Sequence, residues 1–176
     1  MKRLYMIIAV AMLSIAASAQ PTPTTFLDVQ ISGGKETGAA QLIDAGFKES
    51  SRLSSFQGEF MGEPVTAIIS YSKTVKQVTG LFVNTDSRFD AAGVIKKFNQ
   101  IVSDFEKDQK YTADPANKKI PAGAPLTNEY LYDNNSFEVK FYEGGDKKKE
   151  VAISVGMMDG QFYVYFRYNN KYNTSN

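Results

Sequence analysis

The sequence predicts an α+β fold: a single domain in which two helices pack on one face of an antiparallel β-sheet, in the order β-α-β-β-β-α-β-β-β-β. Three observations carry that prediction. Val94, Ile95, Phe98, Ile101, Val102 and Phe105 recur at helical spacing, one apolar stripe over about three turns with Lys96, Lys97, Asn99, Asp104 and Lys107 on the other side. Around that stripe lie segments of alternating apolar and polar residues joined by short turns, the pattern of an antiparallel meander. Asp159-Gly160 is the two-residue hairpin signal in its strongest form, because both positions need positive φ.

The chain opens with Lys2 and Arg3, an apolar run over residues 4–17 and the small-residue sequence Ala17-Ser18-Ala19 ahead of Gln20. A basic start, a short apolar stretch and a small-residue cleavage site make a secretory signal peptide over residues 1–19. The run is too short to span a membrane comfortably, and no second one follows. No Cys follows the cleavage site, so a bacterial lipid anchor is excluded. Cleavage after Ala19 leaves 157 of the 176 residues, the length of one domain. The expected location is outside the cytoplasm, in the periplasm or beyond the cell, away from ATP and NAD pools.

Composition narrows the function further. The chain has no Cys, no His and no Trp, which removes the commonest catalytic and metal-binding side chains, and neither metal nor cofactor is expected. Without Lys2 and Arg3 the 20 basic residues fall to 18 against 19 acidic ones, a net charge of −1. That balance offers no electrostatic footprint for nucleic acid. The basic cluster Lys147-Lys148-Lys149 lies between Asp146 and Glu150 and reads as a solvated turn.

The elements follow in order. Residues 20–25, Pro-rich and polar, read as a flexible leader, and residues 26–31 alternate as a short strand broken by Ser32-Gly33-Gly34. Residues 35–45 form a modest helix with Ala39, Leu42 and Ile43 on one face; Gly46 suits its left-handed terminus and Phe47 can fold back on the last turn. Strands are expected over 52–60, 65–72 and 76–84. A capping box of Ser87 and Asp90 starts the second helix. From residue 109 to 127 periodicity stops in a long loop carrying Pro115, Pro121 and Pro125, and loops of that length are uncommon unless functional or disordered. Strands over 128–133, 137–143, 150–157 and 162–168 complete the chain. The two runs of one helix with several strands suggest an imperfect structural duplication.

Several motifs fail on their context. Ser70-Tyr71-Ser72-Lys73 fits S-x-x-K, but that chemistry needs the Ser to open a helix, and here the motif ends a strand. Gly33-Gly34-Lys35 lacks the remaining residues of a phosphate loop, with Val29 and Glu36 at the deciding positions. Asp133-Asn134-Asn135-Ser136 has no distal Glu for calcium and reads as a hairpin turn. Asn134 and Asn173 begin formal glycosylation sequons, which matter only in a host with that machinery. Glu59, Glu63, Glu138 and Glu143 leave a carboxylate-dependent hydrolase open as a third function.

The surface with the most to say follows from the hairpin. Half of the 22 aromatic residues lie between Tyr130 and Tyr172. With Asp159-Gly160 as the turn, one face pairs Met157 with Phe162, Val155 with Val164, Ile153 with Phe166 and Val151 with Tyr168, and this face is core. The other pairs Gly156 with Tyr163, Ser154 with Tyr165 and Ala152 with Arg167, a small residue against a large one each time. Such pairs serve as cross-strand cover or as a recognition surface, since Tyr and Arg are the side chains of binding hot spots. Glu138, Lys140 and Tyr142 extend the same face from another strand. The candidate binding residues are therefore Tyr163, Tyr165, Arg167, Tyr142 and Lys140.

The wording of several segments resembles a group of uncharacterised secreted proteins from Gram-negative bacteria. The similar stretches are Phe26-Leu27-Asp28-Val29-Gln30-Ile31-Ser32-Gly33, Leu42-Ile43-Asp44-Ala45-Gly46-Phe47, Phe56-Gln57-Gly58-Glu59-Phe60-Met61-Gly62, the strand over 78–83 and Tyr168-Asn169-Asn170-Lys171-Tyr172-Asn173. The chain departs after the second helix, where that group runs through a Tyr-Gly-x-Pro segment and this one has the Pro-rich loop. The group is similar to β-lactamase-inhibitor-like folds, which implies helices on one sheet face and the other face free to meet a partner. It brings no catalytic residues and does not imply β-lactamase inhibition. The expected function is a non-enzymatic exported binding protein with a protein or glycan partner in the cell envelope, and the alternative is a small-ligand or glycan binder that stacks on the same tyrosines.

Overall fold

The computed structural model of the protein describes residues 22–50, 55–127, 131 and 137–173. The expected signal peptide, the strand over 128–133 apart from Leu131, and the Asp133-Asn134-Asn135-Ser136 turn lie outside these residues. Two short strands, β1 (Thr25–Phe26) and β2 (Val29–Gln30), form a small hairpin. Helix α1 (Lys35–Asp44) follows, then β3 (Lys48–Glu49), β4 (Ser55–Phe60), β5 (Glu63–Ser72) and β6 (Gln77–Thr85). Helix α2 (Ala91–Lys107) precedes β7 (Tyr111–Ala113), β8 (Val139–Glu143), β9 (Lys149–Met158) and β10 (Gln161–Asn170). The last eight strands make one antiparallel sheet in the order β3-β4-β5-β6-β10-β9-β8-β7. Each half is thus a helix followed by a four-stranded meander, and the halves join where β6 pairs with β10, from Tyr165 opposite Asn84 to Asn169 opposite Gly80. The fold is α+β, with both helices on one face as the sequence predicts.

The core lies between the helices and the inner sheet face. All six residues of the α2 stripe are buried, against Val151, Ile153 and Val155 of β9 and Val164, Phe166 and Tyr168 of β10. A run of aromatic rings crosses the centre of the molecule. Phe26 contacts Phe47, Phe60 and Tyr168 at centroid distances of 5.9, 5.0 and 5.1 Å, and Phe60 meets Phe166 at 5.2 Å. Phe105 on α2 carries the run on to Tyr111 at 4.8 Å and Phe141 at 5.2 Å. Edge and tilted contacts of this kind add to the apolar burial itself.

Local chemistry explains the ends of the elements. Helix α1 stops in a Schellman motif: Gly46 has φ +94°, its N–H donates to Ile43 O, and the Phe47 N–H donates to Leu42 O. Phe47 then lies across Gly58, where even a β-carbon would clash with its ring. The α2 cap differs from the expected box. Asp90 is the N-cap, accepting the Gly93 N–H at 2.7 Å, while the Ser87 hydroxyl donates to Glu63 instead. A single carboxylate therefore does the capping that a Ser–acid pair was expected to share.

Three further expectations are corrected. Residues 26–31 do not form one strand, because Leu27 (φ 46°) and Asp28 (φ 65°) turn the chain back at their centre. The expected leader is tied down from Thr24: its hydroxyl donates to Asn169 O at 2.8 Å, and Glu143 accepts both the backbone N–H and the hydroxyl of Thr25. The 109–127 segment begins with the edge strand β7 and is then pinned to its surroundings. Asn117 bonds the backbone of Lys140 through both ends of its amide, and Asn99 on α2 does the same to Ile120, which is 2 % exposed.

Candidate functional site

The β9–β10 hairpin has the register expected from Asp159-Gly160, from Gln161 opposite Met158 to Asn170 opposite Lys149. Asp159 (φ 52°) and Gly160 (φ 75°) both adopt the positive φ that a type I′ turn needs. Phe162, Val164, Phe166 and Tyr168 accordingly face the core, and Tyr163, Tyr165 and Arg167 lie half-buried on the opposite face, away from both helices. The pairing across strands places Lys140, Ala152, Arg167, Phe82 and Ile68 in one row of that open face. Ser154, Tyr165, Asn84, Thr66 and Gln57 form the next row.

Charge on this face centres on Glu138. One of its carboxylate oxygens accepts from Arg167 Nη2 at 2.9 Å and the other lies 3.4 Å from Lys140 Nζ. Two cations share this carboxylate, and Lys140 also faces the Asp114 and Glu150 carboxylates electrostatically. The structure brings these two predicted residues together as the sequence suggested. Tyr142 behaves differently from the expectation: it is only 8 % exposed, and its hydroxyl donates to Asp114 at 2.7 Å. The Asp114 carboxylate pushes the phenol up to about 12. Asp114 itself is held below the usual carboxylate range, first by the Ala116 N–H and then by Tyr142. Tyr142 thus fastens the 109–127 segment to β8 and does not project as a contact.

Tyr163 serves as cover. A β-carbon on Gly156 would stand 2.4 Å from its ring, so the ring rests on the bare backbone there. The Arg88 guanidinium lies over the same ring, 5.1 Å from its centre, with Nη1 donating to Thr85 O at 2.9 Å. Tyr165 is tilted 45° to Tyr163 at 6.2 Å. Gly156, Ser154 and Ala152 are all buried beneath this row.

Sequence reasoning missed Ile68 and Phe82 as site residues. Each is 37 % exposed, they are cross-strand partners, and Phe82 stands opposite Arg167. The signal for Ile68 was present, since it alternates with Thr66 and Ser70 on the polar side of its strand. Phe82 was hidden by a β-bulge: the register of β5 and β6 shifts between Ser70 and Tyr71, which re-phases the strand between Val78 and Leu81.

The other motifs find structural roles. Ser70 lies near the end of β5, with its hydroxyl 3.3 Å from that of Thr79. Among the acids, Glu63 bonds Lys97 and Ser87, Glu138 bonds Arg167 and Lys140, and Glu143 holds Thr25 beside Lys110. These three carboxylates are committed to separate partners. Comparison with protein-family models, curated proteins and solved structures gives no match to this chain.

Proposed function

We propose that this is an exported, non-enzymatic binding protein that receives another protein of the cell envelope on its open sheet face. The observation that carries the reading is the exposed Ile68–Phe82 pair beside Tyr165 and Arg167, on the face opposite both helices. Apolar side chains flanked by Tyr and Arg match the anatomy of a hot spot. The leading segment of the sequence, with its signal-peptide pattern, supports export.

A glycan is the weaker occupant. Sugar stacking needs a free aromatic face, and Tyr163 has Gly156 against its ring and Arg88 over it. Replacing Ile68 and Phe82 by Ser together removes apolar surface without opening the core. The double variant is expected to keep its circular dichroism and melting temperature while losing capture of a cross-linked protein partner from an envelope extract. Undiminished capture discards this face. Capture that survives in Ile68→Ser/Phe82→Ser but is competed by oligosaccharides favours the glycan reading.

A further inference from the structure

On the helix side of the sheet, a cavity of about 400 Å³ opens between the tip of the β1–β2 hairpin, the β4–β5 turn and the C-terminal end of α2. It stands apart from the open sheet face and does not rest on the reading of that face. The volume falls in the range of small-molecule sites. Leu27, Phe60, Met61 and Phe105 supply an apolar wall. The polar groups beside that wall already have partners. Asp104 accepts from the Gln100 amide at 3.0 Å and lies 4.0 Å from Lys107, and Asp108 accepts the Lys110 N–H at 2.9 Å. Lys110 Nζ donates to Thr25 Oγ1 at 2.7 Å, and the Tyr111 and Tyr168 side chains engage each other. What the cavity offers a ligand is therefore its apolar surface. An anion entering it would meet Asp28, Asp104 and Asp108, and Lys110 is committed elsewhere.

The lips of the cavity carry a second, independent observation. Leu27 and Met61 are 44 % and 38 % exposed, and both sit in two-residue hairpin turns at positive φ, 46° and 53°. Such turns are the places of Asn, Asp and Gly, and a bulky side chain there is a conformational outlier. The Asp159-Gly160 turn meets the same backbone demand with residues that suit it. Neither Leu27 nor Met61 reaches the burial of a core side chain, so packing does not account for the choice. Both turns instead present a large apolar side chain to one cavity. Strain kept at two turns around a single concave site points to binding, as do exposed apolar side chains at the rim of a groove.

We infer that this cavity binds a small neutral apolar molecule, a ring or short alkyl chain without a charged group, with Leu27 and Met61 at the mouth and Phe60 and Phe105 as the wall.

The test is titration of the full mature chain, followed by backbone NMR shifts. Indole, benzyl alcohol and hexanol are the neutral probes, benzoate and benzylamine the charged ones, and Nα-acetyl-leucine amide stands for a peptide side chain. The neutral probes are expected to move resonances at residues 27–28, 60–62 and 105–111, and benzoate to leave them in place. Leu27→Asn with Met61→Asn replaces both lips by a residue that accepts positive φ. The double variant is expected to bind the neutral probes about fivefold more weakly, because apolar contact is lost, while its melting temperature holds or rises as the strain is relieved. The Ile68→Ser/Phe82→Ser variant should titrate like the parent chain, which separates this site from the open face. A fall in melting temperature in the Asn variant assigns Leu27 and Met61 to stability and overturns the proposal. So does unchanged affinity in that variant, a set of shifts confined to other surfaces, tighter binding of either charged probe, or response to the leucine derivative alone.

Discussion

Helix α1 buries only Gly38 and Leu42, whereas α2 buries six large apolar side chains along seventeen residues. The two helices occupy equivalent places, each ahead of a four-stranded meander, yet they contribute unequally. The first half compensates with aromatic side chains: Phe47, just past the end of α1, closes over Gly58, and Phe26 from the N-terminal hairpin contacts both Phe60 and Tyr168. The comparison teaches that equal topology does not require equal cores. One half is held by a helix, the other by aromatic side chains supplied from its flanks.

The largest expected effect breaks the stronger half. Phe98 is fully buried at the middle of the α2 stripe, and Phe98→Ala should cost about 3–5 kcal/mol, read as a fall in the urea midpoint. Leu42→Ala in α1 should cost about 2–5 kcal/mol. A loss from Leu42→Ala exceeding that from Phe98→Ala would reverse the ranking of the helices.

A smaller effect sharpens the contrast at the helix ends. Gly46 has open space around its α-carbon, so Gly46→Ala should cost only the backbone term, about 1–2 kcal/mol. Asp90→Ala, which leaves the Gly93 N–H uncapped, should cost about 1 kcal/mol. Thermal unfolding of the two variants measures both.

The smallest effect is pH-dependent and belongs to the second half. Burial alone would raise the Glu150 pKa, but the Lys171 ammonium and the Asn169 amide hold it below its ordinary 4.5. Its folded value is lower than its unfolded one, so its stabilisation is present above the unfolded value and is lost as pH falls through the folded one. Glu150→Gln should therefore flatten the acid limb of the stability curve below about pH 4.5 and leave its slope above that value unchanged. The Tyr172 hydroxyl lowers Asp146 and the Lys97 ammonium lowers Glu63 in the same sense, so amide exchange at low pH should rise first around β9, β10 and α2.

Most of the sheet was legible because its signals are local. The hairpin register follows from two residues, Asp159 and Gly160, and the α2 stripe from one periodicity. What escaped depends on distant partners. Strand β7 is three residues long and exists because β8 offers it an edge, and the N-terminal hairpin turns at Leu27 and Asp28, which carry no glycine to announce positive φ. The open face was half legible: alternation placed Tyr163, Tyr165, Arg167 and Lys140 on it, while the bulge at Ser70 concealed Phe82. Tyr142 was assigned to that face correctly by parity and buried by a segment whose path no local pattern encodes. The cavity beside the C-terminal end of α2 draws its walls from four separate stretches of chain, around Leu27, Phe60, Phe105 and Tyr168, and nothing in any of them reveals the others.

The bond from Thr24 to Asn169 spans 145 residues, and that from Asn170 to Ile31 spans 139. Ribosomes deliver the first of these partners long before the second. The opening hairpin therefore emerges without its docking site and must wait for the closing strand, so the fold closes only once β10 has been made. A nascent chain halted before Asn169 would expose Phe26 and Phe60 to chaperones or to other copies of itself.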